Sequence, residues 1–302
     1  MQGILVVNKP SGMTSHDVVA KIRRIFGTRQ VGHTGTLDPD AEGVLPILLG
    51  RATKLSDILS ADEKEYIARV KLGVVTDTYD ISGNVLKQDD VCVTEDDIKN
   101  AALQFLGPQK QVPPMYSAIK IDGKKLYQLA RAGVEIERPA REIEIKEISC
   151  FDFDVENALF SLRVSCSKGT YIRSLCYDLG ERLGTGACLA GLLRTKSGRF
   201  TLERAYTLEE IEENVSAGEG KSLLISLDEA LLDYPLKDVS NENAVKLRNG
   251  LRLRTNQLGL DNANVGDVFR LYEDGKLLCL VSVILDNTNT KVVKLEKTFF
   301  NC

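Results

Sequence analysis

One aspartate, Asp38, stands inside the segment Gly32-His33-Thr34-Gly35-Thr36-Leu37-Asp38-Pro39-Asp40-Ala41-Glu42-Gly43. Glycine permits backbone angles that other residues resist, and proline fixes the chain directly after the carboxylate. A stretch so interrupted predicts a shaped loop, and loops held on rigid scaffolds are where binding and catalytic groups concentrate. A carboxylate placed there can act as a nucleophile. With Asp40 two residues on, an Asp-x-Asp metal site is the competing chemistry, but that spacing alone is a weak signal.

Other residues that could do chemistry lie on more regular elements. Arg173 follows Ser167-Lys168-Gly169-Thr170-Tyr171-Ile172 at the start of a helical pattern. Periodicity alone makes Arg173 a surface residue of an amphipathic helix. Tyr66 lies in an alternating run, where aromatic residues usually belong to a core. Its free phenol, with a pKa of about 10, is a poor base near neutrality. His33 sits inside the Asp38 loop, where ordering that loop is the simpler role.

The elements that must position these groups can be read from patterning. The N-terminal run Met1–Asn8 reads as a first strand, followed by a loop over 8–13 and a helix over 14–26, with Thr14 and Asp17 at capping-box spacing. Val44–Leu49 reads as a buried strand and Arg51–Leu59 as a helix. Glu65–Leu72 alternates as a strand with one inward face. Thr94–Leu106 reads as a helix capped by Thr94. Residues 109–141 form a long irregular basic segment with a short helix at Lys125–Ala132, the kind of segment that is usually functional or disordered. Strands are predicted over 142–154 and 160–166, then a helix carrying Ile172, Leu175, Cys176, Leu179 and Leu183. Helical segments near 205–233 lead to a boundary at Asp233-Tyr234-Pro235. Short strands at Val265–Leu271, Leu277–Ile284 and Lys291–Leu295 follow. Without a strict βαβ rhythm, the class is α+β.

The chain has 302 residues and a net charge of −4. That balance argues against a nucleic-acid partner until its distribution is examined. Residues 163–204 carry eight lysines and arginines against three acids, whereas 205–233 carry one lysine against eight acids. Binding RNA needs a local positive surface, not a basic whole. The seven cysteines include no Cys-x-x-Cys pair, which disfavours zinc and a disulfide framework and suits a reducing cytosol. No apolar run approaches the ~20 residues that span a bilayer, and the N-terminus does not read as a signal peptide. A cytoplasmic protein without a membrane partner is expected.

Asn8-Lys9-Pro10-Ser11-Gly12 and Gly50-Arg51-Ala52-Thr53-Lys54-Leu55 flank the Asp38 loop. Together these segments resemble the TruB family of pseudouridine synthases, the tRNA pseudouridine-55 synthases. Residues 32–43 match every fixed position of that family's Gly-His-x-Gly-x-Leu-Asp-Pro-x-Ala-x-Gly loop, which carries its catalytic aspartate. The resemblance implies a pseudouridine-synthase-like core with a large mixed, mostly antiparallel sheet flanked by helices. It places the catalytic domain at 1–233, with an RNA-binding thumb at about 109–141. Leu247-Arg248-Asn249-Gly250 and Gly266–Arg270 resemble PUA-type modules, implying a small β-rich PUA-like domain at 236–302.

For the site, the resemblance implies Asp38 as nucleophile, Arg173 as its ion-pair partner and Tyr66 against the base, as a stacking group or the acceptor of the C5 proton. His33 would push into the RNA beside a flipped nucleotide. Lys9 and Tyr171 would shape the pocket, and Leu193 would pack on the base. Tyr116 and Lys120 would belong to the thumb. Cys188 departs from a histidine expected nearby. Thr76-Asp77-Thr78-Tyr79-Asp80 keeps a family pattern with an unusual Tyr79. The implied reaction isomerises uridine to pseudouridine at position 55 in the T-loop of tRNA, with no cofactor, no metal and no required protein partner, so a monomer is expected. The rival readings are a non-catalytic structured-RNA-binding protein, a metal-dependent glycosyl-transfer enzyme using Asp38 and Asp40, and a guide-RNA-directed relative. The compact C-terminal region without a long basic tail favours the guide-free type.

Overall fold

The alternating run around Tyr66 becomes the strand Lys64–Leu72 at the middle of a nine-stranded sheet. This computed structural model describes residues 1–60, 63–117, 119–121 and 123–300. The strands run in the order Gly3–Lys9, Glu42–Leu49, Ala187–Ser197, Lys64–Leu72, Leu159–Cys166, Arg141–Asp154 and Gly107–Gln111. Val31–His33 and Phe200–Thr201 pair off this path. One pairing among the described strands of this sheet is parallel, where Leu193 faces Glu42 and Arg194 faces Gly43. The rest are antiparallel. The expected α+β class and mixed, mostly antiparallel sheet are therefore observed.

The parallel contact creates the opening that the site occupies. Near its start, Glu42–Leu49 pairs with Leu193 and Arg194, whereas its end pairs with Val31–His33. Residues 34–41 bridge the two pairings. Gly43 has φ of +99°, and a Cβ there would lie 2.3 Å from the Arg194 carbonyl oxygen. Only glycine lets these two backbones approach so closely.

Helices pack on the sheet face that carries Tyr66. Ser15–Ile25 starts at Thr14, whose hydroxyl and Asp17 form a reciprocal cap. Its Val18, Val19 and Ile22 are buried with Leu5, Val7, Leu45 and Ile47. On another part of the sheet, Glu95–Leu103 and Ile172–Leu183 bury Ile98, Ala102, Leu175 and Leu179 against Val70, Phe160 and Leu162.

Some elements differ from the sequence expectation. The segment read as one helix over 51–59 is a 3-10 turn, Gly50–Leu55, followed by a short helix, Ser56–Ser60. The helix begun at Thr94 stops at Leu103. Ala187–Ser197, a central strand, had no clear pattern. Irregularities between Leu189 and Gly191 and between Arg194 and Lys196 break its alternation. Leu126–Arg131 is the helix within the irregular segment, beside a hairpin of Lys120–Ile121 and Lys124–Lys125.

A second sheet joins Leu236–Asp238, Val268–Glu273, Lys276–Leu285 and Lys291–Thr298 around its own core of Leu247, Leu271, Val281 and Val293. It docks on the first part of the chain. Leu280 and Phe299 pack with Ile4, Leu55 and Leu59. Arg51 donates to the Phe299 carbonyl at 2.6 Å, and Lys54 to that of Thr298 at 2.8 Å.

Candidate active site

The Asp38 loop is held on both sides of the aspartate. Before it, the buried Ser15 hydroxyl accepts from the Leu37 N–H at 3.0 Å and donates to the Leu37 carbonyl at 3.2 Å. After it, the Pro39 carbonyl accepts from Gly12 N at 3.0 Å and from Lys9 Nζ at 2.8 Å. Lys9 is fully buried and also donates to the carbonyls of Pro10 and Met13. Burial pushes its ammonium pKa down, against the opposing pull of Asp40, Glu42 and Asp38. From the other side, buried Arg194 donates to Val44 O at 2.7 Å and Gly35 O at 3.0 Å. Three straps therefore fix where the Asp38 carboxylate points.

That carboxylate meets Arg173. Arg173 Nη2 lies 3.0 Å from Asp38 Oδ2, and Nη1 lies 3.3 Å from Asp80 Oδ2. The guanidinium also donates to the carbonyls of Tyr116, at 2.9 Å, and Thr78, at 3.2 Å. The arginine side chain is 7% exposed, whereas that of Asp38 is 50% exposed. Asp38 is open to solvent through the cleft yet surrounded by protein. This confinement pushes its carboxyl pKa above the ordinary value, with Arg173 pulling it back and Asp80 adding to the rise.

Asp38 lies in a cleft of about 740 Å³ lined also by Tyr66, Asp80, Tyr116, Tyr127, Arg131, Lys168, Tyr171, Leu189 and Leu192. This volume lies within the ~300–1,000 Å³ typical of ligand pockets. Tyr66 and Tyr171 thus present aromatic rings beside the carboxylate. Burial pushes both phenols above their usual pKa, with Arg194 partly offsetting the rise at Tyr66. Neither is poised as a base at neutral pH. Among the described residues, no group of three or more His, Cys, Asp or Glu is placed to hold a metal ion.

The structure brings Asp38, Tyr66, Arg173, Tyr171 and Tyr116 to one cleft. Three other expected residues lie outside its lining. Lys9 is beneath the loop, its ammonium occupied by three carbonyls. His33 sits on the strand Val31–His33, edge-on to His16 with ring centroids 5.5 Å apart, and its Nδ1 is buried without a hydrogen-bond partner among the described residues. Burial pushes its pKa down, with the charges of His16 and Arg194 adding to the fall. Leu193 pairs beside Ile67 on the sheet face opposite Tyr66, and Leu192 lines the cleft instead. The Lys120 side chain lies outside the described residues.

Sequence reasoning gave no role to Asp80 or to Leu192. Asp80 is fixed by Thr78 Oγ1 at 2.9 Å and by the Ser82 N–H and hydroxyl. The Thr-Asp-Thr-x-Asp run was its available signal.

An ion-paired aspartate in an aromatic cleft, on a mixed sheet flanked by helices, is an arrangement suited to a catalytic carboxylate. Residues 23–172 match the N-terminal domain of the TruB family of pseudouridylate synthases, and 173–235 match the C-terminal domain of tRNA pseudouridylate synthase B. The chain belongs to the TruB family. It is 47% identical over 260 residues to tRNA pseudouridine synthase B of Bacillus anthracis, covering 84% of this chain and 85% of the relative. It is 43% identical over 298 residues to the Clostridium perfringens protein of the same name, covering 98% of both. Among solved structures it resembles a chain of a Cbf5-Nop10-Gar1 complex, with a TM-score of 0.76 and 26% identity over 98% of this chain and 84% of that one. A chain of an H/ACA ribonucleoprotein bound to a substrate RNA containing 2′-deoxyuridine gives a TM-score of 0.74 and 25% identity, covering 99% and 85%.

Proposed function

We propose that the chain converts uridine 55 in the T-loop of tRNA to pseudouridine, with Asp38 as nucleophile on a nucleotide flipped out of the RNA. The observation that carries this reading is the Asp38 carboxylate held at 3.0 Å from Arg173 inside a cleft walled by Tyr66 and Tyr171. The reaction breaks the bond between N1 and C1′, turns the uracil and joins C5 to C1′. C5 loses a proton and N1 gains one. No electrons leave the system, so these steps require no redox partner. The cleft retains the detached base, and Arg173 keeps the carboxylate ionised. Flipping the nucleotide costs a few kcal/mol, and stacking on Tyr66 and Tyr171 offsets part of it.

Residues 1–233 serve as the catalytic domain in this reading. Segment 109–141 is the thumb, with Tyr127 and Arg131 on the cleft wall. Residues 236–302 act as a PUA-like RNA-binding domain. His33 would enter the RNA only after turning away from His16. The protein works as a cytoplasmic monomer without metal. Identity of 43–47% to proteins named for tRNA, against 25–26% to the H/ACA chains, favours the guide-free enzyme.

Tritium release from C5-labelled uridine in a T-arm hairpin tests the proposal. Wild-type protein releases tritium without guide RNA and in the presence of a chelator. Asp38→Asn binds the hairpin but releases none. Near-normal turnover by Asp38→Asn would overturn the role of Asp38, and binding without turnover by the wild type would favour a non-catalytic RNA-binding protein.

A further inference from the structure

We propose that Gln111 is a positioning residue for the Tyr171–Arg173 segment and, through it, for the contact between Arg173 and Asp38. The proposal rests on the reading above of these two residues as the reacting pair.

Gln111 ends the edge strand Gly107–Gln111 and is buried. Its amide Nε2 donates to the Tyr171 carbonyl at 3.0 Å, and its Oε1 accepts from the Tyr171 N–H at 2.8 Å. These opposed bonds join residues sixty positions apart and imitate one rung of a β-ladder. Tyr171 is the N-cap of the helix Ile172–Leu183, but its own side chain makes no capping bond. A helix start without a cap leaves its first donors free and its entry angle weakly defined. Gln111 supplies the missing constraint from a neighbouring strand. The Tyr171 carbonyl is then held between the Gln111 amide and the Leu175 N–H, the latter at 3.1 Å.

Fixing Tyr171 aims two groups at once. Its ring faces the cleft, and Arg173 follows two residues later. The segment directly after Gln111 adds to the same anchorage. Ser174 Oγ donates to Val112 O at 2.9 Å, and Arg173 Nη2 donates to Tyr116 O at 2.9 Å. Gln111 is therefore the fixed end of the segment that carries Tyr116, Tyr127 and Arg131 to the cleft. It does not line the cleft itself, so its influence on the reaction passes through Tyr171 and Arg173.

The test compares full-length wild type, Gln111→Met and Gln111→Glu by two readouts. The first is the titration of the Asp38 carboxyl carbon by NMR in the free protein, assigned by its disappearance in Asp38→Asn. The second is kcat and KM on the T-arm hairpin. Gln111→Met retains size but neither bond, so its Asp38 titrates at higher pH as Arg173 drifts. Its kcat falls ~10–100-fold, the scale of a small misplacement in a reacting group, while KM stays within about threefold. Gln111→Glu keeps the acceptor for the Tyr171 N–H and falls between the two. A folded Gln111→Met with wild-type kcat and an unmoved Asp38 titration overturns the proposal, as does a loss confined to KM. Should Gln111→Met fail to fold, Gln111→Glu decides on the same readouts. The titration needs no substrate. Lack of wild-type turnover therefore overturns the functional reading, whereas an unmoved titration overturns this one.

Discussion

Arg173 holds Asp38 with one terminal nitrogen and Asp80 with the other, at 3.0 Å and 3.3 Å. One buried cation thereby serves two carboxylates of unlike exposure, 50% for Asp38 and 23% for Asp80. Asp80 occupies one side of the guanidinium and is itself held by Thr78 and Ser82. The other side is left to face Asp38. Arginine suits this task because its planar fork presents fixed donors in two directions, which a lysine does not.

Arg173→Lys should therefore behave as a severe change despite keeping the charge. It can satisfy one carboxylate but not also the carbonyls of Tyr116 and Thr78. Activity should fall at least ~100-fold, comparable to loss of one preorganised electrostatic donor. Stability should drop by about 1–3 kcal/mol, the usual cost of leaving buried polar groups unpaired. Single-turnover kinetics and urea unfolding measure the two effects, and a lysine variant within tenfold of wild type would contradict the geometry.

The pH dependence follows from the raised pKa of Asp38. The nucleophile acts only when ionised, so activity is present above the folded-state pKa and lost as pH falls through it. Confinement raises that value above the ordinary 3.8. The acid limb of kcat/KM, which reports the free enzyme, should lie above the ordinary aspartate value, and Asp80→Asn should move it down, because Asp80 contributes to the rise. An acid limb at ordinary carboxylate pH, or an upward move in Asp80→Asn, would count against this assignment.

Asp178, on the helix carrying Arg173, offers a stability prediction separate from catalysis. Burial pushes its pKa up to about 6, Glu181 adds to the rise and Arg182 opposes it. Between the unfolded value of 3.8 and about 6, the folded state binds more protons, so stability falls as pH rises through that window. Above it the ionised form carries the full cost. Solvent screening of this partly exposed group keeps that cost to ~1–2 kcal/mol. Asp178→Asn should raise the Tm at pH 7.5, with the gain vanishing below pH ~4, where both states are protonated. Calorimetry at several pH values would show a pH-independent gain if the cause lies elsewhere.

Lys9 should act through structure. Its ammonium serves the carbonyls of Pro10, Met13 and Pro39. Lys9→Met would leave buried acceptors unpaired and cost ~1–3 kcal/mol, while loosening the turn after Asp38. The expected signature is a lower urea midpoint with kcat reduced and RNA affinity nearly unchanged. A selective loss of RNA binding would instead place Lys9 against the substrate.

Gly43→Ala should be among the most damaging small substitutions. The new Cβ would lie 2.3 Å from the Arg194 carbonyl, at a φ of +99°. Separating the strands there would also disturb the Arg194 bonds to Val44 and Gly35. Thermal unfolding should show a loss of at least ~2 kcal/mol, within the range for strained backbone sites and overpacking, and an unchanged Tm would refute the close approach.

The sequence by itself determined the Asp38 loop, the Thr14 cap, the alternation around Tyr66 and the helix behind Arg173. Each depends on neighbours within a few residues, where glycine, proline, capping groups and period-2 patterning act. The tertiary structure decided which side chains meet. An extra residue at Ala190 shifts the pairing, so Leu192 faces Ala68 just as Leu189 faces Val70. That shift puts Leu192, not Leu193, on the face that carries Tyr66. A strand's parity is set by such bulges and by its partner's register, neither of which is written in its own alternation. Lys9, expected to shape the pocket, instead holds the loop from beneath, and one of its three acceptors, the Pro39 carbonyl, lies thirty residues away in the sequence. Asp80 had no reason to matter until folding brought it to the free side of Arg173.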